Sequence, residues 1–424
     1  MVRRILGVYS QCPRTPVVRA RRIRSILARV RFLALIPAVF PLVIAVLLLR
    51  RVWLIRFGYF CGDRIGHFVF DSAHYLSGLA QRGREEKISD FFFLRNDICN
   101  KYWSSFLRRN LVLSSLAEPM YHTLKRIPGG SQHLIQPFRD THGYGFPKND
   151  SEVHEAEWEY FRKAYEFNDK ETAQGRNFLR EIGLHNPERL VCLNVRDRAY
   201  LNNTIPRNGG WNYHSYRDSD IQDYELISRR LGEAGYFVVR MGKTVQEKFI
   251  CDASNVFDYA NSEYRSDFLD IWLAANCAFM ISTGSGLDSV AITFGRPVAF
   301  VNAMPLIDIN YWANAVWHPK HLSWKECGRR LSVSEHLRYC FRNSGDYEST
   351  GIVIDDLSAE EISDTVFELI RHSFGDSRES VTDLPKQKAF WEMFFSKTSF
   401  RRPITRDAPG CLLSDAFLES TALD

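Results

Sequence analysis

The stretch FMISTGSGLDSVAITFGRPVAFV, residues 279 to 301, packs a strand, a bend, a helix and a second strand into one short span. Phe279-Met280-Ile281 is a continuous apolar run, the pattern of a parallel strand covered on both faces. Ser282-Thr283-Gly284-Ser285-Gly286 interrupts it, Leu287 to Phe294 resumes with helical spacing, and Val298-Ala299-Phe300-Val301 is a strand again. The same alternation extends upstream. Leu190-Val191-Cys192-Leu193-Asn194-Val195 reads as a buried strand. Ile221, Tyr224, Ile227 and Leu231 recur at helical spacing, with Gly235 as the stop. Phe237 to Gly242 is the next strand, Asn255 to Tyr259 a shorter one, and Phe268 to Asn276 a helix. Strands alternating with helices of this length predict a doubly wound α/β domain.

In such a sheet, ligands bind outside the carboxyl ends of the strands. The residues at those ends are therefore the candidates. The first strand runs into Arg196, Asp197 and Arg198, the second ends at Arg240 and Gly242, and the fourth ends in the bend Ser282 to Gly286. Two arginines and a Gly/Ser/Thr bend before a helix suit a pyrophosphate: backbone N–H groups and hydroxyls donate, and guanidinium groups bind oxygens in pairs. Two catalytic motifs fail here. A nucleophile elbow needs Gly where Thr283 stands, and a dinucleotide fingerprint needs Gly or Ala where Ser289 stands and an acid where Asn302 ends the next strand. A glycine turn that only lets helix and strand pack closely is the plain alternative. The loop Tyr200 to Arg217 carries Tyr213, His214 and Arg217, suited to stacking on a sugar or base, or simply to packing. Asp218-Ser219-Asp220 has the spacing of a metal-holding DxD, but it follows a polar loop and opens a helix, so capping explains both acids. Asp355-Asp356 reads as a turn and cap before a helix starting at Ala359. No tightly bound metal or cofactor is expected.

At 424 residues the chain exceeds one ordinary core, and two domains are expected. The net charge is +5, yet residues 1 to 31 hold nine arginines and no acid, which leaves the remainder near −4. The folded body is thus not basic, against nucleic-acid binding. Nine cysteines are scattered without a CxxC pair, which gives a zinc ribbon or thioredoxin-like redox site no support and suggests buried free thiols. Phe32 to Leu49, FLALIPAVFPLVIAVLLL, is uncharged and flanked by arginines, with Pro37 and Pro41 bending any helix. Three readings stand: a single membrane span, a re-entrant or interfacial anchor, or a buried helix or targeting leader. The anchor is preferred, because a body using nucleotide-linked substrate needs the cytosol.

In the first half, Val52 to Ile55 has strand character and Phe68 to Phe70 leads into a helical stretch from Asp71 to Ala80. Phe91 to Leu94 is a second apolar run, and Pro119 to Asp150 reads as loop. Glu152 to Ile182 fits an exposed helical pair between domains. The resulting plan is a tail and anchor over 1–50, a first domain over 51–185, a second over 186–375, and a helix and tail over 376–424.

YHSYRDSDIQDYELISRRLGEAGYFVVRMG, from Tyr213 to Gly242, and ISTGSGLDSVAITFGRPVAFVNAMPL, from Ile281 to Leu306, resemble a family of bacterial proteins assigned from sequence as glycosyltransferases of the GT-B fold. A shorter match is RIGH, Arg64 to His67. The resemblance implies two Rossmann-like domains with parallel sheets facing a cleft, the acceptor on the first and the donor nucleotide on the second. It also implies a final crossing helix, for which Lys386 to Phe395 is available. On that pattern Arg196, Arg240, Thr283, Gly284, Ser285 and Gly286 would contact the donor diphosphate, and Asp197 or Asp288 would hold a ribose or sugar hydroxyl. Displacement at an anomeric carbon with inversion needs a base, and His67 and Asp71 are the candidates. The activity implied is metal-independent transfer of a sugar from a nucleotide-sugar donor to a cell-surface glycan or lipid-linked acceptor, at the cytoplasmic face of the membrane. Rival readings are a nucleotide-sugar epimerase of the same fold and a non-catalytic sugar-nucleotide-binding partner at the membrane.

Overall fold

The computed structural model describes residues 39–81, 87–135, 161–162, 165–197, 212–375, 384–397 and 410–423. By their internal contacts these fall into two compact units, the smaller holding the described residues up to Gly58, Lys87–Phe92 and Ser114–Ile135. Strands β1 (Leu54–Cys61), β2 (Ile88–Arg95), β3 (Val112–Leu113) and β4 (Leu134–Ile135) form a sheet in the order β3-β2-β1-β4, with β1 and β4 parallel. Within the smaller unit, Arg56 clamps Asp90 through two hydrogen bonds of 2.7 and 2.8 Å, and Phe57 stacks on Phe91.

The larger unit is built on a seven-stranded parallel sheet. Its strands are β5 (Leu190–Asn194), β6 (Phe237–Arg240), β7 (Val256–Phe257), β8 (Phe279–Ser282), β9 (Val298–Val301), β10 (Ala315–His318) and β13 (Cys411–Leu413), in the order β13-β10-β9-β8-β5-β6-β7. Strands β11 (His321–Trp324) and β12 (Ile352–Asp355) pair antiparallel beside it. Every residue of β5, β6, β8, β9 and β10 is buried, as continuous apolar runs require. Alternate residues serve opposite faces. Val191, Leu193, Val238, Ile281, Ala299 and Val301 share one core with Ile227 and Leu231 of helix Glu225–Glu233 and with Ile362, Val366 and Leu369 of helix Ala359–Phe374. Each such Val, Leu or Ile side chain contributes about 1.5–3 kcal/mol by leaving water. Helix Ala359–Phe374 begins in a capping box made by Ser358 and Glu361, so Ser358, not Asp355-Asp356, is its cap.

Several expectations need correction. The hydrophobic membrane segment expected at the N-terminus is not supported: among the described residues no helix is long and apolar enough to cross a membrane. Residues 39–49 are helical. Val39, Val43 and Val46, at i, i+4 and i+7, are buried on one face of that helix. Residues 32–38 lie outside the described chain. Pro119 to Asp150 is not all loop, because helix Ala117–Leu124 occupies its start, with Pro119 in the first turn, where no amide is needed. The helix expected from Asp71 begins earlier, as Ile65–Gln81. Of the expected helical pair over Glu152 to Ile182, helix Asp169–Glu181 is present, while 152–160 lie outside the described residues.

Candidate functional site

Strand order reverses between β5 and β8: the chain lays β6 and β7 on one side of β5, and β8, β9 and β10 on the other. A crevice opens at such a reversal, beyond the carboxyl ends of the two central strands. Asn194 ends β5, Ser282 ends β8, and the two are paired in register. The segments leaving these two strands therefore meet at the crevice: Arg196 and Asp197 from β5, and the bend Thr283 to Gly286 from β8.

The two segments are tied together. The Arg196 amide donates to Thr283 Oγ1 at 2.9 Å, and the Thr283 amide to the Asn194 carbonyl at 3.3 Å. Asn194 Nδ2 donates to Ser285 Oγ at 2.7 Å. Gly284 has φ +74°, a left-handed conformation that suits glycine, and its amide donates to Ser282 Oγ at 3.2 Å. Arg217 reaches the same bend, its Nη2 donating to the Gly284 carbonyl. Because the Thr283 and Gly284 amides already serve the protein, guanidinium groups rather than these amides are what the bend offers an anion.

Arg196 and Arg217 lie close enough to repel. Burial, then the neighbouring Arg217, lowers the Arg196 guanidinium to about 10, against the raising effect of Asp218, whose Oδ1 lies 3.6 Å from Arg196 Nε. The Nε atoms of both arginines are buried without a hydrogen-bond partner. Two neighbouring like charges with buried, unused donors are the arrangement an oxyanion relieves. Beneath the bend, Asp288 is pushed up to about 7 by burial, opposed by the hydrogen bond from Ser282 Oγ at 3.0 Å and by Arg217.

Helix Ile65–Gln81 comes against this bend. A Cβ on Gly66 would lie 3.1 Å from Gly286 Cα, and one on Gly286 3.0 Å from the Gly66 amide, so both glycines are needed for the approach. The close packing at Gly286 is thus against Gly66 of another helix, not between the helix and strand that the bend joins. His67 follows Gly66 and is half-buried; Asp71, one turn later, is buried. Tyr213 and His214 fall in a short helical turn, Asn212–Arg217, and their side chains lie outside the described residues.

Arg240 does not join the bend. It is 1% exposed, its Nη1 donates to Asp258 Oδ1 at 3.1 Å, and it lines a separate cavity of about 640 Å³. Asp197 lines the same cavity and accepts from the Gln246 amide at 2.8 Å. Asp218, Asp220, Glu247 and Asp356 add carboxylates to the wall. Lys320, 3% exposed, supplies its second cation and is held by Asp356 Oδ1 at 2.5 Å. Asp220 caps the following turn through the Gln222 amide at 2.9 Å. Among the described residues no three His, Cys, Asp or Glu side chains converge as on a metal ion.

Sequence reasoning missed Lys320, Asn194 and Asn302. Lys320 stands two residues past β10, a strand too short to recognise, and only that placement marks it as an edge residue. Asn302, just after β9 at φ +54°, donates to Ser219 Oγ at 3.1 Å and accepts from the Leu357 amide at 2.7 Å, tying those two segments together.

No family model and no curated protein matches this sequence. Among solved structures, the chain is similar to the glycosyl transferase family 9 protein from Veillonella parvula, at 12% identity over 74% of this chain and 97% of that one, with a TM-score of 0.41. It is also similar to the ADP-heptose LPS heptosyltransferase II of E. coli, at 13% identity over 62% and 85%, with a TM-score of 0.34.

Proposed function

We propose that this protein is a glycosyltransferase that binds the diphosphate of a nucleotide-sugar at the bend Thr283–Gly286, between Arg196 and Arg217. The observation that carries the reading is the pair of neighbouring guanidinium groups, each with a buried, unused Nε, at the point where strand order reverses. The resemblance of residues 213–242 and 281–306 to sequence-assigned glycosyltransferases supports it.

The chemistry is dictated by the charges. As the anomeric carbon–oxygen bond to the diphosphate breaks, its electron pair stays on the leaving oxygen, and fixed cations beside that oxygen stabilise the transition state more than the ground state. The acceptor hydroxyl forms the new bond, and its proton passes to His67 or Asp71 on the helix that abuts the bend. Arg240 is not assigned to the diphosphate, since Asp258 holds it. The acceptor is a glycan or lipid-linked hydroxyl, reached from the cytosol, where nucleotide-sugars are made.

A thermal-shift screen across UDP-, GDP-, CMP- and dTDP-sugars tests this. One nucleotide class raises the melting temperature, with about 2.7 kcal/mol of stabilisation at a hundred times its Kd. Nucleoside diphosphate release then requires an acceptor and falls in the His67→Ala and Asp71→Ala variants. Turnover of donor without acceptor would instead favour an epimerase, and binding without any turnover a sensor. No shift with any nucleotide overturns the proposal.

A further inference from the structure

Arg217 owes its place at the bend to a turn that is held from a distant part of the chain. The turn Asn212–Arg217 is a 3-10 helix, in which successive side chains point about 120° apart. Fixing Tyr216 therefore fixes the direction in which Arg217 leaves the backbone. Tyr216 is buried against Met304, Leu322, Leu331, Tyr347 and Ile352, its ring 5.6 Å from that of Tyr347. Apolar burial is non-directional, so the backbone of the turn needs hydrogen bonds to hold its orientation.

Ser344 supplies them. Its Oγ accepts from the Tyr216 amide at 3.1 Å and shares a hydrogen bond of 2.9 Å with Ser215 Oγ, across 129 residues of sequence. Ser344 opens helix Ser344–Ser349, yet that helix is capped by Asn343, whose Oδ1 accepts from the Gly345 amide at 3.0 Å. The Ser344 hydroxyl is therefore directed at the turn and is not its own helix's cap. After Arg217 the chain is held separately. The Asp218 amide donates to the Ser215 carbonyl at 3.0 Å, and the Ser219 amide to the Arg196 carbonyl at 3.2 Å. Arg217 thus lies between two ties, one to Ser344 and one to the segment that carries Arg196.

We infer, on the diphosphate reading above, that Ser344 is a positioning residue for the donor: it sets the Tyr216 backbone so that the Arg217 guanidinium stays at the Gly284 carbonyl, where the diphosphate is received. Without the Ser344 hydroxyl the tie before Arg217 is lost, and the tie after it remains. The guanidinium then samples more positions, and part of the binding free energy goes into ordering it again. Arg196, whose amide is held by Thr283 Oγ1, keeps its place.

The test titrates UDP, GDP and dTDP into the full chain, into Ser344→Ala, Ser349→Ala and Arg217→Met, and into the double variant Ser344→Ala with Arg217→Met. Ser349 is the control, because its hydroxyl donates to the Asp346 carbonyl within the same helix. For the nucleotide that binds, Arg217→Met weakens binding about tenfold and Ser344→Ala about fivefold, while Ser349→Ala changes it less than about twofold. In the double variant the two losses do not add: binding stays within about twofold of that of Arg217→Met alone. Should Ser344→Ala fail to fold, Ser215→Ala loosens the same tie from the turn's side, with about a threefold loss and the same non-additivity. A Ser344→Ala loss that persists in full in the Arg217→Met background, an equal loss in Ser349→Ala, or no loss in Ser344→Ala overturns the inference while leaving the diphosphate site standing. Failure of all three nucleotides to bind the unaltered protein, or unchanged binding in Arg217→Met, overturns both.

Discussion

The bend after β8 and the cavity beside β6 both hold cations out of water, and they do so differently. In the cavity each cation has its own carboxylate, Asp258 for Arg240 and Asp356 for Lys320. At the bend, Arg196 faces a second guanidinium and only a more distant acid, and burial first, then that guanidinium, lowers its proton affinity. A cation with a close partner has its charge balanced and can be structural. A neighbouring pair of cations with buried, unused donors costs stability until an anion arrives, so the fold keeps it only where a ligand compensates. The difference in counter-charge, rather than the number of arginines, separates the two regions.

The largest effect expected from this contrast is on donor binding. Replacing both Arg196 and Arg217 with methionine should weaken nucleoside diphosphate binding about a hundredfold or more, since two charge-assisted contacts vanish. Because those cations are poorly compensated, the melting temperature should fall by no more than a few degrees. Calorimetric titration and thermal melting on one preparation give both numbers. A large loss of stability with binding intact would make the pair structural, like that of the cavity.

A smaller effect concerns the carboxyl beneath the bend. Asp288 holds its proton to about 7, above its usual 3.8, chiefly because it is buried. The folded state then binds more protons than the unfolded one in that window, so this contribution is present at low pH and is lost as pH rises from about 4 to about 7. Melting curves of Asp288→Asn should show a shallower decline over this range than the unaltered protein. Glu368, pushed up to about 8 by burial and then by Asp415, adds a decline of the same sign, so only the difference between the two proteins is diagnostic.

Much of the larger unit was legible because β5, β6, β8 and β9 are covered on both faces and so spell apolar runs. Strands β10 and β13 were not. Ala315-Val316-Trp317-His318 is short, and Cys411–Leu413 pairs with it from almost a hundred residues away, a contact no local pattern encodes. The same limit governs the site. Arg196 and the bend were found from strand ends, but Arg217 looked like one member of an aromatic loop until the fold brought it to the Gly284 carbonyl. Arg240 was assigned by the same strand-end rule, and its ion pair with Asp258, eighteen residues on, was not legible there.

The most direct measurement is a crystal structure of the protein soaked with the nucleoside diphosphate that the screen selects. The account predicts phosphate oxygens within hydrogen-bonding distance of both the Arg196 and Arg217 guanidinium groups, above Gly284. Phosphates seated instead against Arg240 and Lys320, with the first two arginines untouched, would contradict it.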